Sequence, residues 1–205
     1  MRYIGSKTRI LDFIDNTIRQ TYGSVTGTVV ADLFVGTCSV SELFKKQNAK
    51  IITNDYLHFS YALQIAKIKC NEEPKSKIPY CEALSYLNGL YGVDGFFFKE
   101  YTLEGTSTSQ YGRNYFNSEN ARKIDAICIQ LASWLRDKTI SEDMFYLLSA
   151  SLIDAITKVS NTSGTYGAFL KIDDKRKHKA LKLLPYQFID NGQVNEAYCM
   201  DIADL

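Results

Sequence analysis

Asp32, Gly36, Ser39, Asp55 and Asp201 are the residues whose types and spacing best suit joint chemistry. An apolar run of Val29, Val30, Leu33 and Phe34 reads as a buried strand, and it breaks into the small-residue turn Gly36-Thr37-Cys38-Ser39. A helix begins near Ser39, with Leu43 and Phe44 on its inner face. Strand, glycine turn and helix in that order present backbone N–H groups to a nucleotide-like ligand. Nineteen residues past Gly36, a second apolar strand, Ile51-Ile52-Thr53-Asn54, ends at Asp55. A carboxylate at that spacing can accept hydrogen bonds from both hydroxyls of a ribose. A third short strand, Ala197-Tyr198-Cys199-Met200, ends at Asp201. In a parallel sheet the three strand ends share one edge, where ligands of open α/β sheets bind. Singly, each is an ordinary structural turn; their combination points to a ligand.

The elements around them follow from periodicity. Residues 6–20 read as an amphipathic helix capped by Ser6, with Ile10, Leu11, Ile14 and Ile18 on one stripe. Strands are expected over 28–34 and 50–54, a helix over 57–70, and a surface loop over 71–80, where Pro74 and Pro79 fall. Between 81 and 117 the pattern is weak and predicts little regular structure. Two strong helices follow. One is capped by Ser118 and repeats Ala121, Ile124, Cys128, Leu131 and Leu135; the other is capped by Ser141 and carries Leu147, Leu148, Leu152, Ala155, Ile156 and Val159 inward. Residues 161–170 are hairpin-like, with Gly164 and Gly167 as turn residues.

At 205 residues the chain is long enough for a proper core, and 45% hydrophobic with 23% charged residues is ordinary for a globular protein. No apolar run is long enough to span a bilayer, and no signal-peptide core opens the chain. The five cysteines are scattered, without a C-x-x-C pair, and only His58 and His178 could assist a metal. This pattern argues for a reducing, cytoplasmic setting and against a zinc centre or disulfide framework. Net charge is +1, unevenly spread: six Lys/Arg against two Asp between Lys171 and Lys182 give +4, leaving −3 elsewhere. A local basic surface of that kind suits an anion.

The opening Arg2-Tyr3-Ile4-Gly5-Ser6-Lys7, the segment Asp32-Leu33-Phe34-Val35-Gly36-Thr37-Cys38-Ser39 and Asn54-Asp55 together resemble the adenine-specific (N-6) DNA methyltransferases that use S-adenosylmethionine. The match is to the DNA adenine methylase branch with the α-type motif order. The resemblance implies a partial Rossmann-like α/β sheet with a mainly helical target-recognition insertion. It divides the chain into a cofactor-binding βαβ segment at 1–71, an insertion with a DNA-contacting hairpin at 72–186, and a return strand at 187–205. By this resemblance Asp32 faces the methionine amino group, Asp55 the ribose and Asp201 the adenine amino group. Phe34, Gly36, Thr37, Cys38, Ser39, Tyr56 and Ile202 complete the cofactor set, and Tyr3, Ile4, Gly5 and Lys7 belong to a segment that closes over it. Cys38 stands where many members have glycine, which restricts the backbone there. Tyr115, Phe116, Glu119 and Asn120 resemble a further family segment without an evident chemical role.

The hairpin and the basic run after it carry Asn161, Thr165, Tyr166, Phe169, Lys171, Lys175, Arg176 and Lys177. Cations suit phosphates, and rings wedge or stack at unstacked bases. In the resembled family the matching hairpin contacts double-stranded DNA near the flipped adenine.

The family's D/N-P-P-Y/F tetrapeptide, which holds the exocyclic amine of the flipped adenine, is absent: Pro74, Pro79 and Pro185 are the only prolines, and none are adjacent. No catalytic residue is assigned. The expectation is the cofactor-binding and DNA-recognition part of a restriction–modification methyltransferase, inactive alone and needing a second chain or further C-terminal sequence with the tetrapeptide. The alternative is a non-catalytic S-adenosylmethionine- or DNA-binding module; a NAD-type dehydrogenase would explain neither the N-terminal segment nor the hairpin.

Overall fold

A computed structural model describes residues 5–164 and 167–204, which form two compact units: residues 5–75 with 186–204, and residues 76–185. Among the described residues no helix is long and apolar enough to cross a membrane.

The first unit is a three-stranded parallel sheet with short helices. After a 3-10 turn at Lys7–Ile10 come α1 (Leu11–Tyr22), β1 (Val29–Asp32), α2 (Ser39–Lys45), β2 (Lys50–Asn54), α3 (His58–Gln64) running into a π-helical turn at Ile65–Lys69, and, much later in the chain, β3 (Glu196–Tyr198). The strand order is β1-β2-β3, with Val30 opposite Ile51 and Thr53 opposite Ala197. The centre is β2, where Ile51, Thr53 and Asn54 are buried; among the described residues β1 pairs with β2 alone, and its Val29 is 61% exposed. The stripe of α1 is only half covered, and no residue of that helix is fully buried. Ser6 does not cap it; the Ser6 hydroxyl pairs with Thr8 Oγ1 at 2.8 Å instead. The first strand stops at Asp32, two residues short of the expected span, because Leu33 and Phe34 already belong to the turn.

The expected 57–70 helix changes character at Ile65, where the Cys70 N–H reaches back five residues to the Ile65 carbonyl at 3.0 Å. Carbonyls exposed at that helix end need donors. Lys45 supplies one: its fully buried ammonium donates to the carbonyls of Lys67, Ile68 and Cys70 at 3.3, 2.7 and 3.0 Å. A cation there also opposes the negative end of the helix dipole. Burial pulls the Lys45 amine down to about 8.

The second unit is helical: α4 (Tyr80–Gly89), α5 (Phe96–Tyr101), α6 (Ser118–Arg136) and α7 (Glu142–Val159). Ala121, Ile124, Ile127 and Leu131 of α6 and Met144, Leu147, Leu148 and Leu152 of α7 are buried, each large apolar side chain contributing roughly 1.5–3 kcal/mol. Ser141 caps α7, its hydroxyl accepting the Met144 N–H, but the cap of α6 is Asn117, whose Oδ1 accepts the Asn120 N–H at 2.7 Å. Helices α4 and α5 occupy a stretch expected to be irregular. The Asp125 carboxylate, projecting from α6, accepts the N–H groups of Gly95, Phe97 and Phe98 and so starts α5. A Cβ on Gly95 would come within 2.5 Å of that carboxylate, so only glycine allows the approach.

Candidate functional site

In the first unit, side chains from three elements fix the shape of the Gly36 turn. Gly36 (φ +54°) and Cys38 (φ +63°) both lie in the left-handed region, which favours glycine at each. The turn is held from behind: Ser60 Oγ donates to the Gly36 carbonyl at 2.7 Å and Lys67 Nζ to the Thr37 carbonyl at 3.2 Å. From the side, Asp55 accepts the Gly36 N–H on Oδ2 (2.9 Å) and the Leu57 N–H on Oδ1 (3.0 Å). The N–H groups of Thr37 and Ser39 make no hydrogen bond among the described residues. Nothing lies within 4 Å of where a Cβ on Gly36 would be, so the turn is open on the side that glycine faces.

Asp32 ends β1 and accepts the Ser41 hydroxyl at 2.6 Å; Asp55 follows β2 directly. Asp201 lies three residues past the end of β3, exposed, accepting the Ala203 N–H at the start of a 3-10 turn (Ile202–Asp204). Asn54 ties that segment to the end of β2, its amide exchanging hydrogen bonds with the Met200 N–H (3.2 Å) and carbonyl (3.1 Å). Phe34 is 77% and Tyr56 71% exposed, with Ile202 beside Asp201 also exposed. Thr37 and Cys38 are buried, and burial holds the Cys38 thiol far above its ordinary range, protonated at neutral pH. Gly5 and Lys7 are exposed; Tyr3 and Ile4 lie outside the described residues. A chain of hydroxyls joins the N-terminal segment to the turn, Ser6 to Thr8 (2.8 Å), Thr8 to Ser39 (3.2 Å) and Ser39 to Thr37 (3.1 Å). Sequence reasoning missed Thr8, Ser41, Ser60 and Lys67; hydroxyls and a lysine near a glycine turn carry no signal of their own.

The DNA-contact candidates all lie in the second unit, and the structure corrects several. Thr162 and Phe169 form an antiparallel bridge, so a hairpin base exists; Thr165 and Tyr166 lie outside the described residues. Asn161 is fully buried, its amide donating to the Asn114 and Leu170 carbonyls and accepting the Asp174 N–H. Phe169 is half-buried, edge-on to Tyr115 at 5.2 Å between centroids. Arg176 turns inward to the Thr162 carbonyl (2.9 Å) and Asp174 (2.6 Å). Lys177 is 6% exposed, bonded to Asn114 Oδ1 (2.7 Å) and to both oxygens of Asp173 (2.9 Å each). Lys177, then Asn114, hold the Asp173 carboxyl below its ordinary range. Asn161 and Lys177 therefore build the hairpin base and cannot meet a phosphate as they stand, because their polar atoms are spent internally, while Arg176 commits its Nη2 to the Thr162 carbonyl and Asp174. Lys171 and Lys175 are exposed. Asn120, given no role from sequence, anchors the basic segment by bonding the Lys177 and Lys179 carbonyls and the Leu181 N–H.

Among the described residues no group of three or more His, Cys, Asp or Glu could hold a metal. The donors fit an adenosyl cofactor: carboxylates at the strand ends, an open glycine turn with two N–H groups to offer, and exposed aromatic rings.

The model of the family described as D12 class N6 adenine-specific DNA methyltransferase matches residues 3–205. Similar curated proteins include the type II methyltransferase M.FokI of Planomicrobium okeanokoites (39% identical over 100% of this chain and 32% of that protein). The modification methylase StsI of Streptococcus sanguinis is 38% identical over 100% of this chain and 31% of its own length. The type II methyltransferase M.NlaIII of Neisseria lactamica is 35% identical over 100% of this chain and 60% of its own. The chain thus spans about a third of the first two and 60% of the third. No solved structure matches it with significance.

Proposed function

Because the chain belongs to the D12 class of N6 adenine-specific DNA methyltransferases, we propose that these 205 residues bind S-adenosylmethionine and recognise double-stranded DNA for a restriction–modification methyltransferase. The strands are read as part of a Rossmann-like sheet at 1–71 and 187–205, and 72–186 as a target-recognition insertion. The observation that carries the cofactor assignment is the Gly36 turn, whose carbonyls are held back by Ser60 and Lys67 while the side that Gly36 faces is open.

S-adenosylmethionine, when bound, supplies an electrophilic methyl group on a sulfonium. The chain's residues bind and orient it. Asp32 takes the amino group of the methionine part, Thr37 and Ser39 offer N–H groups, and Asp55 takes the ribose hydroxyls. Phe34, Tyr56 and Ile202 cover the adenine, and Asp201 accepts from its amino group. Tyr3, Ile4, Gly5 and Lys7 are assigned to the closing segment, supported by the hydroxyl link from Ser6 and Thr8 to Ser39. In the second unit the hairpin and exposed Lys171 and Lys175 face DNA.

Methyl transfer requires the D/N-P-P-Y/F tetrapeptide, which these residues lack. The open edge of β1, its exposed Val29 and the half-covered stripe of α1 support a further strand packing there. Purified 205-residue chain with labelled S-adenosylmethionine and duplex DNA is expected to transfer no methyl group, since in-line alignment can account for about 7–11 kcal/mol of the barrier. Adding a polypeptide with the tetrapeptide is expected to restore transfer and to bury more than about 2,000 Å². Methylation by the chain alone would refute the incompleteness; cofactor binding that no complementing segment converts to transfer would favour the non-catalytic module.

A further inference from the structure

A cleft of about 450 Å³ opens in the second unit between the end of α7 and the strap at 179–184, and four cations line it: Lys158, Arg176, Lys179 and Lys182. No carboxylate lines it, and Ala155 and Val159 contribute an apolar floor. Arg176 is occupied with Asp174 and the Thr162 carbonyl, but Lys158, Lys179 and Lys182 are exposed and make no ion pair among the described residues. Resting on the DNA reading above, we propose that this cleft is the principal seat of the duplex phosphate backbone, with Lys158, Lys179 and Lys182 as its phosphate contacts.

Three observations carry the proposal. Lys177 is spent on Asp173 and Arg176 is paired with Asp174 at the cleft wall, so within the basic run the lysines that line this cleft without an ion pair among the described residues are Lys179 and Lys182, with Lys158 joining them from α7. The strap bearing Lys179 and Lys182 is pinned: Asn120 bonds the Lys179 carbonyl and Leu181 N–H, Asn88 bonds both the N–H and the carbonyl of Leu183, and Leu181 and Leu183 are buried. Burying alternate residues turns Lys182 outward on a backbone that loses little freedom on binding. Finally, the ammonium groups come from two elements flanking an apolar floor, an arrangement suited to successive phosphates of a strand rather than to one compact anion. Arg176, bonded to the hairpin residue Thr162, joins the cleft to the hairpin base.

The test is a salt series of fluorescence anisotropy titrations with a short duplex of arbitrary sequence, using the full chain. Lys158→Gln/Lys179→Gln/Lys182→Gln should lower the slope of log affinity against log salt by about 2.7, since each phosphate contact contributes about 0.9. Between about 50 and 200 mM salt, that makes affinity fall roughly 40-fold less than in the wild type. Each single variant should lower the slope by about 0.9, and thermal melts should stay unchanged because none of the three lysines is ion-paired. Lys171→Gln/Lys175→Gln, outside the cleft, is expected to lower the slope by less than about 0.9 per lysine replaced. A wild-type slope in the triple variant, with duplex binding intact, would overturn the cleft and leave the DNA reading standing. No duplex binding by the wild type would overturn both. Tighter binding of inorganic triphosphate than of duplex would overturn the proposal in favour of a small-anion pocket.

Discussion

Replacing Asp55 with alanine separates a ligand contact from a structural one. In the structure its two oxygens accept the Gly36 and Leu57 N–H groups at 2.9 and 3.0 Å. Each oxygen has a second lone pair, and those are the sites proposed for the ribose hydroxyls. The substitution therefore removes two backbone bonds, about 1–3 kcal/mol of stability without cofactor, and one or more charge-assisted bonds to the sugar, about 1.5–3 kcal/mol each. Affinity for S-adenosylmethionine is expected to fall roughly tenfold to a hundredfold. A loosened turn would also weaken binding, so calorimetry should compare S-adenosylhomocysteine with its 2′-deoxy analogue on both proteins. The wild type should lose about tenfold or more for the missing hydroxyl, whereas Asp55→Ala should lose less than about threefold, since its partner has gone. Distortion of the turn affects both ligands alike and cancels. An equal deoxy penalty on both proteins would refute a ribose role for Asp55, and a preference for NAD over S-adenosylmethionine would overturn the cofactor assignment.

Two further predictions concern the frame around the turn. Lys45→Met withdraws the donor from three carbonyls at the end of the α3 segment and is expected to cost about 2–4 kcal/mol in urea unfolding at neutral pH. The wild-type amine falls from 10.5 to about 8 on folding, so folding releases a proton between those values, and the advantage over Lys45→Met should grow as pH rises from 8 to 10.5. A pH-independent difference would contradict the burial argument. Cys38→Gly should be more stable than Cys38→Ala by about 1 kcal/mol, reversing the usual order, because φ at Cys38 is +63°. The usual order, alanine above glycine in the same unfolding experiment, would mean the turn is free to relax.

What could be read in advance depended on whether the partners of a residue are local. Helix α7 and the body of α6 were legible because their apolar repeats are their own. The α6 cap was displaced by one residue because Asn117 and Ser118 are both good caps, and only geometry chooses. Helix α4 was also legible in principle: Tyr80, Ala83, Leu84 and Leu87 keep helical spacing and are all buried. Helix α5 was not, because the carboxylate that starts it belongs to Asp125, 27 to 30 residues further along. Charge misled for a related reason. A count of lysines and arginines in 171–182 cannot tell that Asp173 and Asp174 claim Lys177 and Arg176, and Lys45 gave no hint of burial because its partners are carbonyls, which every residue has.

The candidate turn shows how much supporting structure a small binding surface needs. A turn that is to offer N–H groups to a ligand must first direct its carbonyls elsewhere, since a carbonyl facing an anionic or hydroxyl-rich ligand would repel or misdirect it. Here that task falls to Ser60 on α3 and Lys67 on the π-helical turn, and Cys70, which follows the π-turn directly, has its carbonyl held by Lys45. Lys45 ends α2, the helix that the same turn begins. Turn, helix and π-turn thus form a closed loop of constraints, each fixing the donor that fixes the next. Removing Lys45 should accordingly loosen the donor Lys67 as well as the fold. Its cost to cofactor affinity should then appear even at temperatures where the protein remains folded.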